Sequence, residues 1–317
     1  MLARINGGTT RIMSKIVQVR APATSANLGP GFDCLGLALG LYLDITVTEQ
    51  EGTGLEIVAR GEGRGQVPLD QNNAVYKGLV RACAEVGRAP RRIALEIASD
   101  IPLASGLGSS SAALVAGLAA GAALCGETPD REDLLRWGVA MEGHPDNVAP
   151  CVMGGIVIAA LDGRQVISAR IDPPAALVAV VAVPCFAVRT SKARRVLSER
   201  IARADAVYNL GRVGLLVAGF MQGDYSLLQT GMRDRLHQPE RAALVPGMPE
   251  VLAAAEEAGA LGAALSGAGP TLLALVAGEP EPVAAAMAAA WAGCGIAART
   301  MILDMAEAGV QVKGHGC

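Results

Sequence analysis

Pro102-Leu-Ala-Ser-Gly-Leu-Gly-Ser-Ser-Ser-Ala112 sets two glycines and a run of hydroxyls directly ahead of an Ala/Gly/Leu-rich helix. Gly106 and Gly108 open backbone conformations closed to other residues and let main-chain N–H groups approach a ligand closely. Ser109, Ser110 and Ser111 then start the helix, whose first-turn amides lack intrahelical partners and carry the positive end of the dipole. A glycine-rich turn feeding a helix N-terminus favours phosphate, and the expected ligand is a nucleoside triphosphate. The same composition also serves as an ordinary capped helix start. No lysine follows Gly108, which excludes the Gly-x4-Gly-Lys-Ser/Thr loop, and the serines and alanines after it exclude Gly-x-Gly-x-x-Gly.

Other polar groups stand in loops of similar character. Ala21-Pro-Ala-Thr-Ser-Ala-Asn-Leu-Gly-Pro-Gly-Phe-Asp33 reads as a Pro/Gly turn between strands, yet it holds Asn27 and Asp33 where glycines fix the path. Glu142-Gly-His-Pro-Asp-Asn-Val-Ala-Pro150 begins at the end of a predicted helix, where a carboxylate faces the unfavourable end of the dipole. A ligand for Mg2+, a hard cation that takes few protein oxygens, accounts for Glu142 better than a structural role. His144 lies in a strong turn signal, His-Pro-Asp-Asn, and stabilising that turn is favoured for it over general-base catalysis. Leu265-Ser-Gly-Ala-Gly-Pro-Thr271 reads as a tight glycine hairpin between apolar runs.

These groups need a scaffold, and the 317 residues suffice for one large or two closely packed domains. Small aliphatic residues far outnumber aromatics, so the core is expected to form by close packing of small side chains. A net charge of −3 without runs of like charge argues against nucleic acid as a partner. Seven scattered cysteines with no Cys-x-x-Cys pair speak against a zinc site and for a reducing cytosol. Met1 to Lys15 lacks the apolar stretch of a signal peptide. Ala112 to Cys125, the most apolar run, is shorter than the ~20 residues that span a bilayer. A soluble cytoplasmic protein with no membrane partner is expected, with residues 1–12 dispensable and Met13 an alternative start.

Alternation predicts strands over Lys15–Ala21, closed by Pro22, and over Leu43–Val47. Further strands are expected at Leu55–Arg60, Ile93–Ala98, Gly155–Leu161, Val166–Ile171, Leu177–Val183, Ala264–Leu265, Thr271–Val276 and Ala297–Leu303. Helices are expected at Asn72–Val86, Ser109–Leu124, after an N-cap at Asp130 to Met141, and at Ser191–Leu197, Ala202–Met221, Tyr225–Met232, Met248–Ala258 and Pro282–Ala292. Strands and helices mix without strict alternation, which favours α+β over a doubly wound sheet. Pro173-Pro174 is the expected domain boundary.

In order along the chain, the strings at 21–33, 102–112, 142–150 and 265–271 resemble the motifs of the GHMP small-molecule kinases (galactokinase, homoserine kinase, mevalonate kinase, phosphomevalonate kinase). The 21–33 string, Thr190-Ser-Lys-Ala-Arg194 and His237-Gln-Pro-Glu-Arg241 are similar to those of homoserine kinases in particular. The resemblance implies an α+β, two-domain GHMP kinase fold, with an N-terminal ATP-binding domain like ribosomal S5 domain 2 (14–173) and a ferredoxin-like C-terminal domain (174–310). It implies ATP-dependent phosphorylation of L-homoserine, a step towards threonine, and allows a homodimer. ATP would lie along Pro102, Leu103, Ala104, Ser105, Gly106, Leu107, Gly108, Ser109, Ser110, Ser111 and Ala112, with Asn73 at the adenine edge. Mg2+ would be held by Glu142 with Ser109 or Ser110. Asp33 would take the substrate ammonium, Asn27 and Asn147 the hydroxyl region, and Arg194 and Arg241 the carboxylate, which a guanidinium fork fits bidentately.

Asn147, Glu142 and Thr190 form the implied catalytic set, with Thr190 between substrate and nucleotide. Several GHMP kinases carry an aspartate, the proposed base, where this chain has Asn147. An amide accepts no proton at neutral pH. Positioning and charge neutralisation are therefore expected to drive the transfer, the hydroxyl proton leaving through phosphate oxygens or solvent. Asp146 within reach of the acceptor oxygen would contradict this. The alternatives are another GHMP kinase acting on a different alcohol, or a non-catalytic ligand-binding regulator of the same fold.

Overall fold

The structure, a computed structural model, describes residues 15–127, 130–163 and 165–316; the alternative start at Met13 lies outside them. In chain order the first half comprises β1 (Lys15–Ala26), β2 (Leu35–Gln50), β3 (Leu55–Gly61), α1 (Ala74–Glu85), β4 (Arg92–Ser99), α2 (Ser109–Leu124), α3 (Arg131–Glu142), α4 (Val148–Met153), β5 (Ile156–Asp162) and β6 (Gln165–Ile171). The second comprises β7 (Leu177–Pro184), α5 (Thr190–Arg195), α6 (Arg203–Gln222), α7 (Leu228–Gly231), α8 (Gln238–Arg241), α9 (Met248–Glu257), β8 (Gly262–Leu265), β9 (Leu272–Ala277), α10 (Glu281–Gly293), β10 (Ala298–Leu303) and β11 (Gln311–Gly316).

Two sheets result, as an α+β chain requires. One runs β11-β1-β2-β4-β3, with β5 also on β2 and β6 on β5; the other runs β10-β7-β9-β8. Only β3 and β4 pair in parallel among the described strands, and α1 makes the crossover between them. No helix among the described residues is long and apolar enough to cross a membrane.

Four points differ from expectation. β1 continues past Pro22 to Ala26 because its register against β2 shifts between Pro22 and Ala23, so the ladder there does not depend on the N–H that proline lacks. β2 begins at Leu35 instead of Leu43, since its first residues are buried on both faces and do not alternate. β11 had no signal: a few alternating residues after a glycine, paired on the β1 edge, bring the chain back from the second sheet to the first. The helix expected at Tyr225–Met232 divides into a 3-10 turn, Tyr225–Leu227, followed by α7.

Strands β7, β8 and β9 of the second sheet are buried on both faces. Ala179, Val181, Leu273 and Leu275 join the core that begins under the first sheet, while Val180, Ala182, Leu272 and Ala274 pack with Trp291 and Met287 of α10. One continuous apolar core therefore holds the two sheets to each other. At the centre of the first half, α2 is buried on nearly every side and touches α1 through glycines. A Cβ on Gly117 would lie 2.0 Å from the Val75 carbonyl oxygen, and one on Gly121 2.4 Å from that of Leu79.

Gly117→Ala is accordingly expected to destabilise the protein. The clash is with backbone and no rotamer relieves it, so an overpacking cost of about 1–3 kcal/mol opposes the ~1 kcal/mol that alanine gains over glycine in a helix interior. A lower urea midpoint in equilibrium unfolding is the expected result, and an unchanged midpoint refutes the contact.

Candidate active site

A cleft of about 600 Å³ lies where the ends of α2, α3 and α5 meet the β1–β2 and β8–β9 loops. Its floor is the turn into α2. Gly106 and Gly108 have φ of +92° and +68°, in the left-handed region. Space demands glycine as well: a Cβ on Gly106 would lie 2.3 Å from the Ser266 carbonyl oxygen, and one on Gly108 1.9 Å from Thr24 Oγ1. Gly108, the N-cap of α2, has no side chain to accept from the first turn, so the helix's positive end stands at the cleft without a side-chain cap. The β8–β9 loop braces this turn. Ser266 Oγ bonds the Gly106 carbonyl at 2.7 Å, and the Thr271 N–H donates to the Ser105 carbonyl at 3.0 Å.

Glu142, the last residue of α3, faces the turn from across the cleft, where Gly143 ends the helix at φ +87°. Its carboxylate accepts a 2.8 Å bond from Ser111 Oγ. Burial pushes the Glu142 carboxyl above the usual carboxylate range, and Asp146 adds to this; Ser111, His144 and Ser110 act against it. Ser111 thus meets the carboxylate directly. Ser109 and Ser110 line the same cleft beside it.

The turn after α3 is held by its own side chains. His144 Nδ1 lies 2.6 Å from Asp146 Oδ1, and that bond raises the imidazole pKa. Asn147 Oδ1 accepts from Thr24 Oγ1 at 2.7 Å, while its Nδ2 lies 3.5 Å from Asp146 Oδ1. The two contacts set the amide the same way round, with its carbonyl oxygen already engaged.

At the other end of the cleft, Arg194 Nη1 and Nη2 each donate to an Asp33 carboxylate oxygen at 2.9 Å. This pairing raises the Arg194 pKa. Arg241 is 2% exposed. It donates to the Gly267 carbonyl at 3.0 Å and the Ala193 carbonyl at 3.3 Å, and approaches His237 Nδ1 at 3.2 Å. His237 Nε2 bonds the Gly29 carbonyl at 2.7 Å, which makes Nε2 the donor and leaves Nδ1 to accept from Arg241. Burial first, then Arg194, pushes the Arg241 pKa down, and among the described residues it joins no ion pair. The Phe32 ring lies against both arginines, 5.9 Å from the Arg194 guanidinium carbon and 5.3 Å from that of Arg241.

The β1–β2 loop that carries Phe32 and Asp33 is strained. Asn27, Leu28 and Asp33 all have positive φ, and such conformations persist only where surroundings over-determine them. Asn27 supplies much of that determination. Its Nδ2 donates to the Gly267 carbonyl at 2.9 Å and its Oδ1 accepts from the Asp33 N–H at 3.0 Å, so it latches this loop to the β8–β9 loop.

The structure brings together Asn27, Asp33, Ala104, Ser105, Gly106, Gly108, Ser109, Ser110, Ser111, Glu142, Asn147, Thr190, Arg194 and Arg241 around the one cleft. It turns others away. The Asn73 side chain caps α1, accepting from the Val75 N–H and donating to the Pro68 carbonyl, and Asn72, Ala74 and Lys77 line the cleft instead. Leu107 and Ala112 are fully buried in the core, and Pro102 and Leu103 line a separate surface depression beside Phe186. Thr24, Phe32 and His237 were not singled out from the sequence. Each acts through a contact with another segment, which spacing along the chain does not record.

Residues 73–155 match the family described as GHMP kinases N terminal domain, and residues 216–293 that described as GHMP kinases C terminal. A homoserine kinase of Deinococcus radiodurans is 50% identical over 255 residues, covering 80% of this chain and 82% of the relative. One from Moorella thermoacetica is 47% identical over 256 residues, covering 81% and 86%. Among solved structures, homoserine kinase from Cytophaga hutchinsonii superposes with a TM-score of 0.86 at 32% identity, covering 98% of this chain and all of the other. Mevalonate kinase of L. major, at 14% identity and a TM-score of 0.67, shares the fold.

Proposed function

The chain belongs to the GHMP kinase family, among its homoserine kinases, and from this premise we propose how its cleft transfers the γ-phosphoryl group of ATP to the side-chain hydroxyl of L-homoserine. The observation that carries the acceptor assignment is the charge pattern at one end of the cleft: an Asp33–Arg194 fork beside the unpaired, buried Arg241. One carboxylate and two guanidiniums match a zwitterion. The substrate ammonium takes Asp33, and its carboxylate takes the arginines, which hold their charge at any working pH. Homoserine thereby exchanges one internal ion pair for two intermolecular ones. Phe32 and His237 keep the guanidiniums in place. Thr190 stands on the cleft wall between the two ligands.

At the donor end, the N-terminus of α2 and the Gly106–Gly108 turn receive the triphosphate through backbone amides, without a lysine. Glu142 with the Ser109 or Ser110 hydroxyl is a set of hard oxygens suited to Mg2+, and the half-buried carboxylate, its pKa raised by desolvation, is a group that a bound cation would relieve. When bound there, Mg2+ supplies charge neutralisation for the phosphates. Asn147 presents N–H groups to the acceptor oxygen, because its carbonyl oxygen is taken by Thr24. With no base in that position, the hydroxyl proton passes to a phosphoryl oxygen as the new P–O bond forms and the bond to ADP breaks. Asp146 Oδ1 is occupied by His144. The two proposed units remain residues 14–173 and 174–310, with the cleft between them.

ADP release measured with homoserine, mevalonate, galactose and shikimate in parallel tests this reading. Turnover with homoserine alone is expected. Preference for another alcohol assigns the acceptor pocket differently, and no turnover with any alcohol makes the chain a ligand-binding regulator.

A further inference from the structure

We propose that Thr24 is a positioning residue of the transfer reaction, whose hydroxyl locks the Asn147 amide with its N–H groups towards the acceptor and ties that amide to the phosphate turn. The proposal rests on the reading of Asn147 as the group that meets the acceptor hydroxyl. Thr24 lies near the end of β1 and is fully buried. Its Oγ1 donates to Asn147 Oδ1 at 2.7 Å across 123 residues of sequence. Its backbone N–H donates to the Leu107 carbonyl at 3.1 Å, inside the glycine turn. The hydroxyl also fills the space that a Cβ on Gly108 would need. One residue therefore touches the donor side through Leu107 and Gly108, and the acceptor side through Asn147.

A side-chain amide is nearly symmetric in shape, so hydrogen-bond partners alone decide which end faces which way. Asn147 has two such partners among the described residues: Thr24 at its oxygen and, at the longer distance of 3.5 Å, Asp146 near its nitrogen. The acceptor-only Asp146 carboxylate takes the nitrogen end, so Thr24 meets the oxygen end and donates to it; without Thr24 only the 3.5 Å contact holds the amide, which then turns over more readily. Turned over, it would present a carbonyl oxygen to the lone pairs of the attacking hydroxyl and to the phosphoryl oxygens, where only a donor is useful.

The test compares Thr24→Ala, Thr24→Ser and the double variant Thr24→Ala/Asn147→Ala by steady-state kinetics on homoserine and ATP. Thr24→Ala is expected to lower kcat by about 10- to 100-fold, the scale of a sub-ångström to 1 Å misplacement, with the KM for ATP nearly constant. Thr24→Ser keeps the hydroxyl and is expected to recover most of the rate. In the Asn147→Ala background, Thr24→Ala is expected to cost nothing more, because the two residues act as a unit. Should alanine leave a gap that prevents folding, Thr24→Val fills the volume without the proton and is expected to show the same loss of kcat. The proposal is overturned if serine is as slow as alanine, if the single losses multiply in the double variant, or if Thr24→Ala or Thr24→Val turns over like the wild type. Absence of homoserine turnover in the wild type itself would instead defeat the functional reading.

Discussion

Glu142→Ala is expected to lower kcat at least ~100-fold, a loss of about 2.7 kcal/mol in transition-state stabilisation, while leaving the fold intact. The two halves of that expectation come from one fact. The Glu142 carboxylate is half-buried at the C-terminal end of α3, where the helix dipole opposes it and desolvation penalises its charge. A group placed so unfavourably contributes little to stability, so its removal is expected to leave the melting temperature unchanged or raise it. The catalytic loss follows from the proposed magnesium role. Protons and metal compete for the same oxygens, and the carboxyl pKa is raised. The apparent affinity for MgATP should therefore fall as pH is lowered, beginning above the pH at which an exposed glutamate protonates. Glu142→Gln should remove that acid limb. ADP release, a pH profile of kcat/KM for ATP and a thermal melt check all three. Turnover within a few-fold of wild type would rule out the metal role.

Arg194→Ala is expected to raise the KM for homoserine about 10- to 100-fold with the KM for ATP nearly unchanged, the range set by loss of charge-assisted bonds worth ~1.5–3 kcal/mol. Arg194 sits on the short helix α5, and among the described residues its guanidinium is hydrogen-bonded to Asp33 and faces the Phe32 ring. Its removal takes the ion-pair partner from Asp33 but breaks no side-chain contact with the ATP end of the cleft among the described residues. Arg241→Ala should behave differently. That side chain is buried and bonds the Gly267 and Ala193 carbonyls, and Gly267 is also where Asn27 latches the β1–β2 loop. Alanine there takes a donor from the Ala193 carbonyl and from His237 Nδ1 and leaves the Gly267 carbonyl to Asn27 alone, so a fall in kcat and in melting temperature should accompany the rise in KM. Arg241→Lys keeps the charge but not the fork, and should raise KM with a smaller loss of stability. Equal effects of Arg194→Ala on both substrates would refute its assignment to the carboxylate.

The contrast between these two arginines shows where the site was legible in advance and where it was not. As residue types at motif positions, Arg194 and Arg241 are equivalent: each has a fork suited to a carboxylate. Their difference lies in burial, which depends on α5, α8 and the β8–β9 loop packing together. Asn72 and Asn73 give the same lesson at closer range. Either adjacent amide fits the cleft edge, but the N-cap of α1 engages Asn73 and leaves Asn72 on the wall. The serine run behaves likewise, since the rotation of α2 about its axis decides that Ser111 meets Glu142. Helix orientation is settled by the all-round burial of α2, and an Ala/Gly/Leu-rich segment without a polar face carries no periodic record of it.

The sequence alone determined the features that depend on a few neighbouring residues. It placed α2 over Ser109–Leu124 behind its glycine turn, the Asp130 cap of α3, the mixed order of strands and helices, and the strings whose resemblance named a family. These are local matters of backbone freedom, capping and side-chain period, written within a turn or two of chain. Tertiary structure decided the contacts that close the site: Asp33 with Arg194 across 161 residues, Asn27 with Gly267 across 240, and Thr24 with Asn147 across 123. It also decided that β1 outruns Pro22 and that β11 returns to the first sheet. Such pairings depend on strand order and on how closely backbones approach, and those are properties of the packed core as a whole.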